Sequence, residues 1–245
     1  MNTKTFFLIL LLTAGFIQFT AAQNKVAFIT KDTLTVTADE YIVEDATRFI
    51  VLCHQAGYSR GEYIETAKRF NKLGFNCLAL DQRSGGEANG IKNETAMAAD
   101  AAKKKNSYLD AEADINAAIE YAFDKSGKNV ILLGSSYSAS LALKIGKEND
   151  KISAIIAFSP GEYFDKKLNV TNAIYNLSKP VWVTSTQKES ADVTAMMKGV
   201  TSKNKTQVTP TGEGVHGSKC LWKNQNGNQE MWLKLIPFLD SIRKL

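Results

Sequence analysis

Apolar and polar positions alternate in blocks along this chain, and the lengths of the blocks separate two kinds of element. Short unbroken apolar runs read as strands buried on both faces. Arg48 to His54, Asn76 to Leu80, Asn129 to Leu133, Ile152 to Phe158 and Pro180 to Thr184 are of this kind. Lys25 to Ile29 and Thr33 to Thr37 read as two edge strands, and Thr206 to Thr209 as a short final one. Between the strands lie stretches of helical spacing: Glu62 to Leu73, Leu109 to Phe123, Ser138 to Lys147 and Glu230 to Ile242. Gly74 supplies the stop for the first. Strands alternating with helices predict an α/β fold, a mostly parallel central sheet with helices on both faces and functional groups at the carboxyl ends of its strands.

One junction in this pattern carries chemistry. The apolar run ending at Leu133 passes into a helix through Gly134-Ser135-Ser136-Tyr137-Ser138, so Ser136 falls on a sharp strand-to-helix turn. A serine hydroxyl is a poor nucleophile at its own pKa and must be presented at a constrained corner beside a base. Such a turn needs small residues two before and two after the serine. Gly134 and Ser138 occupy those positions, with Ser138 in place of the second glycine of a Gly-x-Ser-x-Gly pattern. Capping of the helix by Ser135 or Ser136 is the structural alternative for the same residues. A base suited to neutral pH is a histidine, and the chain has two, His54 and His216.

Composition narrows the classes. With 245 residues, 44% hydrophobic and 22% charged, the chain can bury one sizeable core as a single domain. Residues 1–22 read as a signal peptide: Lys4, an apolar run from Phe6 to Phe19, then Thr20-Ala21-Ala22 before Gln23. The run is shorter than the ~20 residues that span a bilayer comfortably, so no stable membrane insertion is expected after its removal. The expected mature domain is 23–245, and its expected location is secreted or periplasmic. The net charge of +5 falls to +4 without Lys4, and the basic residues are scattered. Lys103-Lys104-Lys105 reads as a solvated face, and no nucleic-acid partner is expected. Cys53 and Cys77 fall in core strands and Cys220 follows the His216 loop, which predicts inert thiols and no disulfide framework. Two distant histidines without a cysteine or carboxylate cluster predict no metal, and no glycine loop cradles a phosphate. No cofactor is expected.

The loop His54-Gln55-Ala56-Gly57-Tyr58-Ser59-Arg60-Gly61-Glu62-Tyr63 after its strand, the turn around Ser136 and the segment Asp81-Gln82-Arg83-Ser84-Gly85-Gly86 together resemble the α/β-hydrolase superfamily. More narrowly, they resemble its dienelactone-hydrolase-like serine esterases. The resemblance implies an oxyanion hole formed by the amides of Ala56 and Tyr137, with Gln55 standing where the family's loop has its first glycine. It implies that His216, in Gly214-Val215-His216-Gly217, is the base, since the family order is serine, acid, histidine. His54 then braces the oxyanion loop, and Asp81 and Arg83 hold their own loop. The family's acid follows the Pro180 to Thr184 strand, which points to Glu189. Asp192, one helical turn along and able to cap a helix starting near Val193, stays open, as does Asp165 one strand earlier.

The implied activity is that of an exported serine hydrolase, cleaving carboxylic esters of small or polar substrates through a Ser-His-acid triad and an acyl-enzyme. A peptidase or acyltransferase on the same triad, and a non-catalytic binding protein on a hydrolase scaffold, stay open. The alanine-rich stretch 87–106 reads as a flap or a surface insertion.

Overall fold

The computed structural model describes residues 22–44 and 46–243, so the expected signal segment lies outside the described residues, Ala22 excepted. In chain order the elements are β1 (Ala22–Ile29), β2 (Thr35–Ile42), β3 (Phe49–Cys53), a 3-10 turn (Arg60–Tyr63) leading into α1 (Ile64–Lys72), and β4 (Asn76–Leu80). A small hairpin of β5 (Glu87–Ala88) and β6 (Ile91–Lys92) precedes α2 (Glu94–Ala101) and α3 (Glu112–Ser126). Then come β7 (Val130–Ser135), α4 (Tyr137–Glu148), β8 (Ile152–Phe158), α5 (Val170–Ala173), β9 (Val181–Thr184), α6 (Ser190–Met196), β10 (Lys205–Val208) and α7 (Asn228–Ile242).

Eight strands form one sheet in the order β1-β2-β4-β3-β7-β8-β9-β10. The pairs β1/β2 and β2/β4 are antiparallel, and every pair from β4 to β10 is parallel. The register explains the unbroken apolar runs. In β3, Ile50 and Leu52 face a core layer with Phe70 of α1 and Trp232, Leu235 and Phe238 of α7. Phe49, Val51 and Cys53 face the opposite layer with Ile115 and Ile119 of α3 and Leu141 and Ile145 of α4. Both faces of the strand are dry, so neither parity of position carries a polar residue.

One expectation needs correction. The second strand runs over Thr35–Ile42 rather than Thr33 to Thr37, and it is not an edge, because β1 and β4 flank it. Thr33, at φ +66°, belongs to the turn in which Thr33 N–H donates to the Thr30 carbonyl. The second half of the strand was hidden by its acids: Asp39 and Glu40 are buried, and they are neutralised by Arg60 at 3.1 Å and Lys125 at 2.7 Å. Of the two readings left open for the stretch 87–106, its contacts fit the insertion. Asn93 Oδ1 caps α2 through the Ala96 N–H, and Thr95 Oγ1 accepts the Thr37 N–H of β2, which fastens the segment as a packed insertion.

Candidate active site

The strand-to-helix turn at Ser136 is sharp because its residues leave no alternative. Ser136 has φ +60° and ψ −124°, outside the regions that L-residues favour, and such a backbone costs roughly 1–3 kcal/mol that the surroundings must offset. They do so by clamping both ends. The Ser136 N–H donates to the Phe158 carbonyl of β8 at 2.8 Å. A Cβ on Gly134 would stand 2.3 Å from the Ser138 carbonyl oxygen, so only glycine fits there. Ser138, the departure from the second glycine, is built into the turn: its hydroxyl accepts the Ser135 N–H at 2.8 Å and reaches the Cys53 carbonyl at 2.7 Å.

His216 arrives from the loop beyond β10 and meets this corner. Its Nε2 lies 2.8 Å from Ser136 Oγ, and its Nδ1 lies 2.5 Å from Glu189 Oε1. The structure therefore brings together three of the residues singled out from the sequence, separated along the chain by 80 and 27 positions. Gly217 lets the His216 loop lie close against the turn, since at φ +76° a Cβ would come within 2.7 Å of Ser135 Oγ. Glu189 is fixed on its other oxygen, where Oε2 accepts the Ser159 hydroxyl at 2.9 Å and the Thr186 N–H at 3.0 Å. Burial works against its charge, but the Thr186 amide, His216 and the Ser159 hydroxyl outweigh it and hold the carboxyl below the usual glutamate range.

The other two carboxylates stand apart. The helix expected near Val193 begins at Ser190, so Asp192 is an exposed residue of its first turn and caps nothing. Asp165, exposed at φ +50°, opens a 3-10 turn. Neither bonds to His216.

Ala56 sits one residue beyond a tightly held peptide. His54 is fully buried; its Nε2 accepts the Gln82 N–H at 2.9 Å, which leaves the ring proton on Nδ1 to be donated to the Gln55 carbonyl at 2.8 Å. Burial pushes the His54 pKa down to about 4, against both of these backbone bonds, so the ring is a neutral brace. The Gln55 carbonyl also accepts the Tyr58 N–H at 3.2 Å. In a trans peptide the carbonyl and the following N–H point oppositely, so holding the Gln55 oxygen directs the Ala56 N–H away from the brace. Among the described residues the Ala56 N–H has no acceptor in the protein, and Tyr137 opens α4, where no carbonyl four residues back is helical. These are two free amide donors on the segments that carry His54 and Ser136.

Sequence reasoning passed over Ser159 and Tyr163. Ser159 Oγ bonds Glu189 and also accepts the Gly217 N–H at 3.1 Å, which ties the acid to the histidine loop. Tyr163 donates to the Ser159 carbonyl at 2.9 Å, and its hydroxyl lies beside that of Ser136. The signal for both was position: Ser159 directly follows β8, the strand next to the one that leads into Ser136. Arg83 pairs with Asp114 and Asp32, and Asp81 with Arg60, so the 81–86 loop is pinned at its start.

Residues 44–211 match the family model described as Serine aminopeptidase, S33 (Hydrolase_4). No curated protein sequence matches the chain. Among solved structures, an esterase of Pyrococcus furiosus superposes with a TM-score of 0.70 at 18% identity, covering 91% of this chain and 93% of that one. A dienelactone hydrolase from Anabaena variabilis gives a TM-score of 0.70 at 12% identity, over 91% and 98% of the two chains. The α/β hydrolase GrgF from a Penicillium species gives 0.67 at 12%, over 91% and 100%. The fold is that of the α/β hydrolases.

Proposed function

This chain belongs to the serine aminopeptidase S33 family of α/β hydrolases, and we propose that it is a serine hydrolase that cleaves carboxylic esters of small or polar substrates. The observation that carries the reading is the continuous hydrogen-bonded line from Glu189 through His216 to Ser136, at 2.5 and 2.8 Å. In the proposed reaction Ser136 Oγ attacks the ester carbonyl carbon while His216 Nε2 takes its proton. The carbonyl oxygen becomes an oxyanion, and the free amides of Ala56 and Tyr137 are the donors we assign to it. The tetrahedral centre collapses, the C–O bond to the leaving alcohol breaks, and His216 returns the proton to that alcohol. Water then repeats the sequence against the acyl-serine, with His216 as base and Ser136 as leaving group. Glu189 orients the ring and stabilises its positive charge at each proton transfer.

The choice of small or polar esters rests on openness. The side chains of His216 and Glu189 are 36% and 31% exposed, so the centre is reached from solvent at the sheet edge. The family description favours one second reading, hydrolysis of a peptide amide at the same three residues. We read residues 1–22 as directing export, and among the described residues no helix is long and apolar enough to cross a membrane.

A fluorophosphonate probe tests the proposal. The protein is expected to be labelled at Ser136 and the Ser136→Ala variant is not; an unlabelled native chain would remove the enzymatic reading. Esters of rising acyl length compared with amino-acid anilides then separate the two substrates.

A further inference from the structure

Behind the Ser136 corner lies a carboxylate that the proposed chemistry does not use. Glu62, in the 3-10 turn Arg60–Tyr63, is fully buried. Its Oε2 accepts the Gln55 N–H at 2.8 Å. Its Oε1 accepts the hydroxyls of Ser135 at 2.9 Å and Ser218 at 2.5 Å, and Ser135 Oγ accepts the Ser218 N–H at 2.8 Å. Each partner adjoins a residue of the site. Gln55 precedes Ala56, Ser135 precedes Ser136, and Ser218 lies two residues beyond His216. Three loops that share no local sequence therefore converge on one side chain.

The surroundings give that side chain little electrostatic help. Lys219 is a cation whose charge is felt at Glu62. The other titratable groups facing it are Cys53 of β3, Tyr63 of the same turn and Cys220 beyond Ser218. Burial pushes all three up, so they stay neutral across the ordinary pH range. Burial also pushes the Glu62 carboxyl up to about 7, against its three donors and Lys219. The ionised form is an acceptor only and satisfies all three donors. A neutral carboxyl must donate, and one donor then loses its place. The Gln55 N–H is backbone and cannot turn away, whereas the Ser218 hydroxyl has the Tyr63 hydroxyl 3.3 Å off as a second partner.

We propose that Glu62 is a positioning residue for the Ser136 site, its carboxylate holding the oxyanion loop, the elbow and the His216 loop in one register and loosening the His216 loop when it takes up a proton. The inference rests on the esterase reading above. It makes activity on the acid side depend on the protonation of Glu62 as well as on the triad itself. Activity and stability then respond to acid in opposite directions. The folded pKa of Glu62 lies above that of an ordinary glutamate, so the folded state binds the extra proton and gains stability as pH falls through 7.

The test measures the pH dependence of fluorophosphonate labelling and of 4-nitrophenyl acetate hydrolysis. For the native chain the rate is expected to fall about tenfold as pH drops through 7, a step added to whatever acid limb the triad itself gives. Glu62→Gln keeps the shape and cannot titrate: its profile is expected to lack that step, with kcat at pH 8 lowered about tenfold and KM within about twofold. Its melting temperature at pH 8 is expected to equal or exceed that of the native chain, because a buried charge has been removed. Should that variant not fold, Ser218→Ala keeps the carboxylate but removes a donor to its charged form, and is expected to move the acid limb about one pH unit upward. A native chain labelled at Ser136 with the same acid profile as Glu62→Gln, or with a limb unmoved in Ser218→Ala, overturns this inference alone. A native chain unlabelled at every pH overturns the esterase reading and this inference with it.

Discussion

His54 and His216 stand at the same carboxyl edge of the sheet, and their surroundings make opposite use of the same ring. His54 follows β3 and is enclosed between backbone groups, with the lone pair on Nε2 spent on the Gln82 N–H. A proton arriving there would find no carboxylate bonded to the ring and would be shut off from solvent, which is why burial pushes its pKa down to about 4. His216 has a carboxylate on one nitrogen and a hydroxyl on the other, and is partly open to solvent. The lesson is that a base needs both a proton to take and a neighbour to stabilise the cation that results. Two glutamates repeat the contrast. Glu189 is held below the usual range by an amide, a ring and a hydroxyl, whereas burial lifts Glu62 to about 7 despite three donors.

The contrast can be broken by mutation. The largest effect is expected from Ser136→Ala or His216→Ala, either of which should lower ester turnover roughly 10⁴-fold or more, since triad members act as a unit. Their thermal midpoints should stay within a few degrees of native, because neither side chain is part of the core. If a substitution at His54 matched that loss without any change in stability, the two rings would not differ as argued. Next comes Glu189→Gln, for which a loss of roughly 10³-fold in kcat is expected. Asp192→Asn and Asp165→Asn should stay within about twofold in the same assay, as neither carboxylate reaches the ring; a comparable loss at Asp192 would move the acid. His54→Ala is expected to cost only about tenfold in kcat. Its main effect is on folding. It strands the buried Gln82 N–H and removes one of two donors to the Gln55 carbonyl, and urea unfolding should show a loss of about 2–4 kcal/mol.

Much of the fold is legible in the chain because strand and helix periodicity depends on neighbours in sequence. The strands Asn76–Leu80 and Ile152–Phe158 have the expected ends, and the elbow could be located from small residues around Ser136. The second strand was obscured because Asp39 and Glu40 look like surface residues until Arg60 and Lys125 are folded against them. The acid was a choice among three carboxylates, Asp165, Glu189 and Asp192. Nothing in the spacing tells a residue whose side chain points at the ring from one whose side chain points at water.

What the amino-acid order determined by itself was the α/β layering, the strained serine corner and the short choice of bases, each a consequence of local geometry and residue chemistry. The tertiary structure alone decided that Glu189 meets His216, and that Ser135 and Ser218, 73 and 156 positions from Glu62, share its carboxylate. The physical reason is that periodicity is written by adjacent residues, whereas the charge a side chain can carry depends on how much water and how many donors the whole fold leaves around it.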